Sequence, residues 1–126
     1  MRLVDSSAWI EYLSGSALGL ALQRQFPDPD DWLVPTIVQL ELAKWLVREA
    51  LEETAKQVIA FSGECVVVPL NTGTALRAAD VGLQYRLATA DAIIYATALD
   101  YGADLLTCDR HFDGLPGVVF MAKFVQ

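Results

Sequence analysis

Four acids carry the chemistry that this sequence suggests: Asp5 in "RLVDSSAW", Glu41 in "PTIVQLELAKW", Asp91 in "LATADAIIYATAL" and Asp109 in "LLTCDRHF". Asp91 is the least expected of them. On a helix it shares a side with Ile94, Tyr95 and Ala98, and no Lys or Arg stands at those positions to neutralise it. Carboxylates about 4 Å apart repel by about 4 kcal/mol at the effective dielectric of a protein surface. A cluster of them must therefore protonate, spread apart or hold a cation. An oxygen-only donor set without His or Cys selects a hard divalent ion. Mg²⁺ or Mn²⁺ fits better than Ca²⁺, because the chain has no contiguous EF-hand loop. Such an ion suits phosphodiester hydrolysis by an activated water. Ser6 and Ser7 have no evident His or Lys base, and His111, the only histidine, is expected in a loop or core role.

The acids matter only if the fold brings them together. Short β-rich runs at 2–4, 32–34, 66–70, 104–108 and 118–121 alternate with helical patterns at 6–13, 17–25, 36–49, 51–61, 72–85 and 90–101. That alternation is the mark of a parallel sheet with helices on both faces. In such a sheet the helix N-termini lie at the edge where the strands end, which is where ligands bind. Asp5 and Asp109 follow the first and fourth strands, Asp91 lies in the first turn of the helix leading to the fourth, and Glu41 lies little more than a turn into the helix after the second. Each acid has a plainer role. Asp5 and Asp109 can be N-caps, Asp91 can share a cap with Thr89, and Glu41 can belong to a solvated face with Lys44 and Arg48. Four plain roles converging on one ligand-binding edge would be a coincidence.

The whole chain sets wider bounds. Its 126 residues are read as a single domain, residues 1–126, large enough to build a core without staples. A hydrophobic content of 54% excludes a disordered chain, and no apolar run approaches the roughly 20 residues of a membrane span. An acid at position 5 interrupts any signal-peptide core, and Cys65 and Cys108 are read as buried, reduced thiols, so a cytoplasmic location is expected. The net charge of −7 argues against a basic nucleic-acid-coating module, though not against a nuclease with a small local site. The apolar richness of "SAWIEYL" and "LELAKWLV" points to surface covered by a partner.

Taken together, "LVDSSAWIEYL", "ELAKW", "TADAIIYATAL" and "LLTCDRHF" resemble the PIN domain, most nearly the VapC-type toxins of toxin–antitoxin pairs. The resemblance runs from residue 3 to about 120, and "DAIIYATA" followed by "TCDRHF" is its most specific part. It implies a three-layer α/β/α sandwich around a parallel sheet of four to five strands. It also implies an Mg²⁺- or Mn²⁺-dependent endoribonuclease leaving 5′-phosphate and 3′-hydroxyl ends, with Asp5, Glu41, Asp91 and Asp109 as metal-site and catalytic acids. Thr107 and Ser6 would help orient that site, and Asp113 is an additional acid beside it. A cognate antitoxin protein and a homodimer are implied as partners. Lys44, Arg48, Arg86 and Arg110 are the basic residues placed to steer RNA. The alternatives are a non-catalytic PIN-like module that binds RNA or protein, and an RNA-processing PIN nuclease that is not a toxin. A response-regulator receiver would need paired acids after the first strand and an Asp where Asn71 stands. A haloacid-dehalogenase phosphatase would need Asp-x-Asp where "DSS" stands.

Overall fold

The structure, a computed structural model, describes residues 1–123. Five strands, β1 (Arg2–Val4), β2 (Trp32–Pro35), β3 (Val66–Val68), β4 (Asp104–Thr107) and β5 (Val118–Phe120), pair in parallel in the order β3-β2-β1-β4-β5. They are joined by α1 (Ser6–Leu13), α2 (Ala17–Gln23), α3 (Thr36–Arg48), α4 (Glu52–Gly63), α5 (Thr72–Tyr85) and α6 (Thr89–Asp100). Two 3₁₀ turns, Pro29–Asp31 and Arg110–Phe112, precede β2 and follow β4. This is the expected α/β/α sandwich. The third strand stops at Val68 rather than at 70, because Pro69 has no N–H to continue the ladder. The other boundaries differ from expectation by a residue or two, where helix ends fray.

The central strands are apolar because both their faces are covered. All four residues of β2 are buried, as are Leu3 and Val4 of β1 and Leu105 and Leu106 of β4. Trp9 of α1 is part of this core, its ring centroid 4.8 Å from that of Trp32. α6 is buried nearly all round through Ala92 and Ile94–Ala98, which is why its sequence shows so little polar face. The one large polar group there is satisfied: the Tyr95 hydroxyl donates to the Pro116 carbonyl at 2.7 Å. No described helix is long and apolar enough to cross a membrane.

The chain works outward from β1 to β3 and then returns to place β4 on the other side of β1. That reversal leaves a crevice at the carboxyl ends of β1 and β4, the topological switch point of the sheet. The opposite end of the same strand pair is tied by Arg2, whose guanidinium grips Asp104 through two bonds of 2.8 and 2.9 Å.

α1 and α2 meet very closely at Gly19. A Cβ there would stand 2.6 Å from the Glu11 carbonyl oxygen and 2.8 Å from the Tyr12 Cα, both backbone atoms that cannot swing aside. Gly19→Ala is therefore expected to destabilise the fold by about 1–3 kcal/mol. Urea denaturation should show a lower midpoint with an unchanged slope. A midpoint equal to that of the parent would show that the helices separate at little cost.

Candidate active site

The crevice is built around Asp5. It sits at the N-cap position of α1, directly after β1, and continues the ladder by donating its N–H to the Leu106 carbonyl at 2.9 Å. Its carboxylate does not cap the helix. Only 3% of the residue is exposed, and Oδ2 accepts hydrogen bonds from the Ser7 hydroxyl at 2.7 Å and the Thr107 hydroxyl at 2.8 Å. Each hydroxyl is held in turn by the backbone beyond β4. The Cys108 N–H donates to Ser7 Oγ and the Asp109 N–H donates to Thr107 Oγ1, both at 3.0 Å. A relay of amides and hydroxyls thus fixes a buried acid across the β1–β4 junction. Thr107 and Ser7 thus both hold Asp5, and the contact of Ser7 was not legible in the sequence.

Glu41 reaches the same edge from α3, where Ser6 donates to Oε1 at 3.0 Å. Asp91 is the third residue of α6. The N-cap of that helix is Ala88, with no side-chain cap, so neither Asp91 nor Thr89 caps it. Asp109 does cap: its Oδ1 accepts from the His111 N–H at 2.9 Å and so closes the turn Arg110–Phe112.

Burial raises three of these acids. Burial pushes the Asp5 carboxyl above its ordinary value against the opposing hydrogen bonds of Ser7 and Thr107, and the charge of Asp109 adds to the rise. Burial raises Glu41 as well; Ser6 opposes the rise, and the charges of Asp5, Asp91 and Asp109 add to it. Asp91 is raised by burial and by Asp109 and Asp5, with His111 pulling the other way. The four acids therefore share one electrostatic field.

A histidine also stands beside the acids. The ring of His111, expected in a loop or core role, stands on its turn with Nδ1 3.2 Å from Asp109 Oδ1 and 3.4 Å from Asp91 Oδ2. Asp91, Asp109 and His111 each offer a ligand atom, and these lie within 4.8 Å of one another. The histidine is two residues after Asp109 in "CDRH", and only the tight 3₁₀ turn folds it back over the acids. Asp113 is exposed at the end of that turn and outside this group. Cys65 is likewise only half-buried, while Cys108 is buried.

The basic residues divide. Arg110 lines a cleft of about 380 Å³ beside the acids, together with Ser7, Cys108, Asp109 and Lys123. Lys44 and Arg48 flank a shallow hollow on α3, and Arg86 caps α5 in a left-handed conformation. All four residues expected to steer RNA are exposed.

The raised acids have a consequence for stability. A carboxyl whose pKa is higher in the folded chain binds its proton more tightly there, so folding loses stability as pH climbs from the ordinary carboxylate value through the raised one. Asp100, lowered chiefly by the Thr74 hydroxyl and also by Arg77, acts in the opposite sense below the ordinary value. In chelator, the parent should melt at a lower temperature at pH 7 than at the ordinary carboxylate value of about pH 4. Asp91→Asn should narrow that gap, because it removes one raised acid and relieves its neighbours. Equal gaps in parent and variant, measured by thermal denaturation, would contradict this account.

The PIN domain family profile matches residues 2–118. Solved structures of similar fold include a toxin–antitoxin complex from Klebsiella pneumoniae, with a TM-score of 0.81 and 22% identity over 94% of this chain and 96% of that one. VapC20 of Mycobacterium tuberculosis, a toxin that cleaves the sarcin–ricin loop, superposes with a TM-score of 0.75 and 19% identity over 98% of this chain and 100% of its own. FitAcB from Neisseria gonorrhoeae gives a TM-score of 0.75 and 21% identity, covering 96% and 97% of the two chains. The curated proteins yield no significant match. At these identities the structural likeness is one of fold, and the profile match is what places the sequence: this chain belongs to the PIN domain family.

Proposed function

We propose that this protein is a divalent-metal-dependent endoribonuclease acting as the toxin of a toxin–antitoxin pair. The observation that carries the reading is the gathering of Asp5, Glu41, Asp91 and Asp109 at the switch point, with burial and mutual repulsion raising three of them. A cluster in that state is relieved by a cation, and its carboxylates fit Mg²⁺ or Mn²⁺. When bound, such an ion supplies charge stabilisation at a phosphodiester and a more acidic water. Asp5, Glu41, Asp91 and Asp109 would hold it.

The rest of the work falls to the chain itself. Ser7 and Thr107 fix the Asp5 carboxylate, and Ser6 fixes that of Glu41. Arg110 and Lys123 border the cleft beside Asp109, where they attract the RNA backbone that a net charge of −7 would otherwise repel. Lys44, Arg48 and Arg86 extend that attraction over the surface. Hydrolysis at this site would leave 5′-phosphate and 3′-hydroxyl ends.

Two apolar stripes support a protein partner and a homodimer. Leu40 and Val47 lie two turns apart on α3, and Leu76 and Leu83 do so on α5; Val47 is 77% and Leu83 85% exposed. Several structures of similar fold are complexes of a toxin with its antitoxin, as in the Klebsiella pneumoniae assembly. An antitoxin protein is the partner proposed here.

The test is Asp91→Asn. Asp91 makes no capping bond, so the exchange leaves the helix start intact while removing one negative charge from the site. Cleavage of single-stranded RNA in Mg²⁺ or Mn²⁺ should fall by at least about 100-fold, the upper range for lost support of a metal site. The metal-free melting temperature should stay level or rise slightly. Full-rate cleavage by the parent in chelator, or near-normal cleavage by the folded variant, would overturn the reading.

A further inference from the structure

We propose that His111 supplies a nitrogen ligand to the divalent ion of this site, alongside Asp91 and Asp109, and thereby biases the centre toward Mn²⁺ over Mg²⁺. The inference rests on the reading of the acidic cluster as a metal centre and adds a donor that the four acids do not provide. His111 is the only histidine in the chain. Its side chain is 73% exposed, so core packing does not dictate where the ring stands. The backbone sets its place instead. The His111 N–H is bonded to Asp109 Oδ1, the Phe112 N–H donates to the Asp109 carbonyl at 3.2 Å, and the fully buried Phe112 anchors the turn.

The spacing fits a ligand better than a committed ion pair. Charge-assisted hydrogen bonds between a protonated nitrogen and a carboxylate run at about 2.7–2.9 Å. His111 Nδ1 stays farther than that from both acids, at 3.2 Å from Asp109 and 3.4 Å from Asp91. Adjacent ligands of an octahedral ion with bonds of about 2.1 Å stand about 3.0 Å apart. Nδ1 is near that separation from two carboxylate oxygens at once, and the three donor atoms fall within 4.8 Å. Imidazole binds transition ions, whereas Mg²⁺ keeps to carboxylate and water oxygen. A nitrogen here therefore favours Mn²⁺ without abolishing Mg²⁺ binding. If the imidazole were only a counter-charge to the acids, its removal would have the opposite sign and strengthen cation binding.

The experiment uses the full chain freed of any affinity tag, without RNA. Mn²⁺ and Mg²⁺ are titrated calorimetrically into the parent, His111→Ala and His111→Gln, and bound Mn²⁺ is examined by pulsed electron paramagnetic resonance. Circular dichroism and metal-free melting confirm that the variants fold, as an exposed side chain allows. The parent should show a directly coordinated imidazole nitrogen coupled to Mn²⁺, which can come only from His111, and both variants should lack it. Mn²⁺ affinity should fall by at least about tenfold, the lower range for disturbing a metal site, while Mg²⁺ affinity changes by less than about threefold. Bound Mn²⁺ without nitrogen coupling in the parent, or variants that bind Mn²⁺ as tightly or more tightly, would overturn the assignment and leave the acidic metal centre standing. A parent that binds neither ion would overturn both.

Discussion

A carboxylate as deeply buried as Asp5 is tolerable only because hydroxyls reach one of its oxygens. Burying an unpaired charge is costly enough that the group would otherwise take up a proton or the fold would shift around it. Ser7 and Thr107 both donate to Oδ2, and the amides of Cys108 and Asp109 hold the two hydroxyls. The partners come from α1, β4 and the turn beyond it, so the same bonds that satisfy the acid also set how β1 and β4 end relative to each other. Asp109 inherits its position from this arrangement, and His111 inherits its position from Asp109.

Around this fixed point the site is under electrostatic tension. Asp5, Glu41 and Asp91 are all raised mainly by burial, and each also feels the charge of other acids in the group. The fold thus holds its acids where their separate ionisation is disfavoured. This is the general character of functional sites, which give up stability for a charge distribution that a ligand completes. The surrounding structure supplies the stability. The apolar strands, the aromatic contact of Trp9 with Trp32 and the nearly all-buried α6 make a framework stiff enough to keep like charges close.

Under the proposed function, charge would also let an acidic chain attract an acidic polymer. The net charge of −7 is a property of the whole surface, but screening confines each charge to a range of about 8 Å at physiological salt. Arg110 and Lys123 sit at the cleft where contact would be made. Under that reading, global charge would discourage indiscriminate coating of nucleic acid while the local pair would favour approach at one place.

Much was legible before any coordinates. The alternation of short apolar runs with helical patterns determined a covered parallel sheet, because a strand buried on both faces has no polar alternation to show. The ends of the first and fourth runs placed Asp5 and Asp109 at one edge, since in a parallel sheet all strands finish on the same side. Other features were decided only by tertiary contact. Trp9, in a stretch whose apolar richness suggested a partner surface, belongs to the core, while Leu40 and Val47 remain exposed, because helical spacing alone does not say which stripe meets the sheet. The pairing of Ser7 with Asp5 and Ser6 with Glu41 depends on the direction of each hydroxyl at the start of α1, which adjacent serines in a sequence do not reveal. His111 is the clearest case. Its type and distance along the chain gave no reason to prefer a site over a loop, and only the tight turn after β4, closed by Asp109, carries the ring back against Asp91 across a gap of twenty residues in sequence.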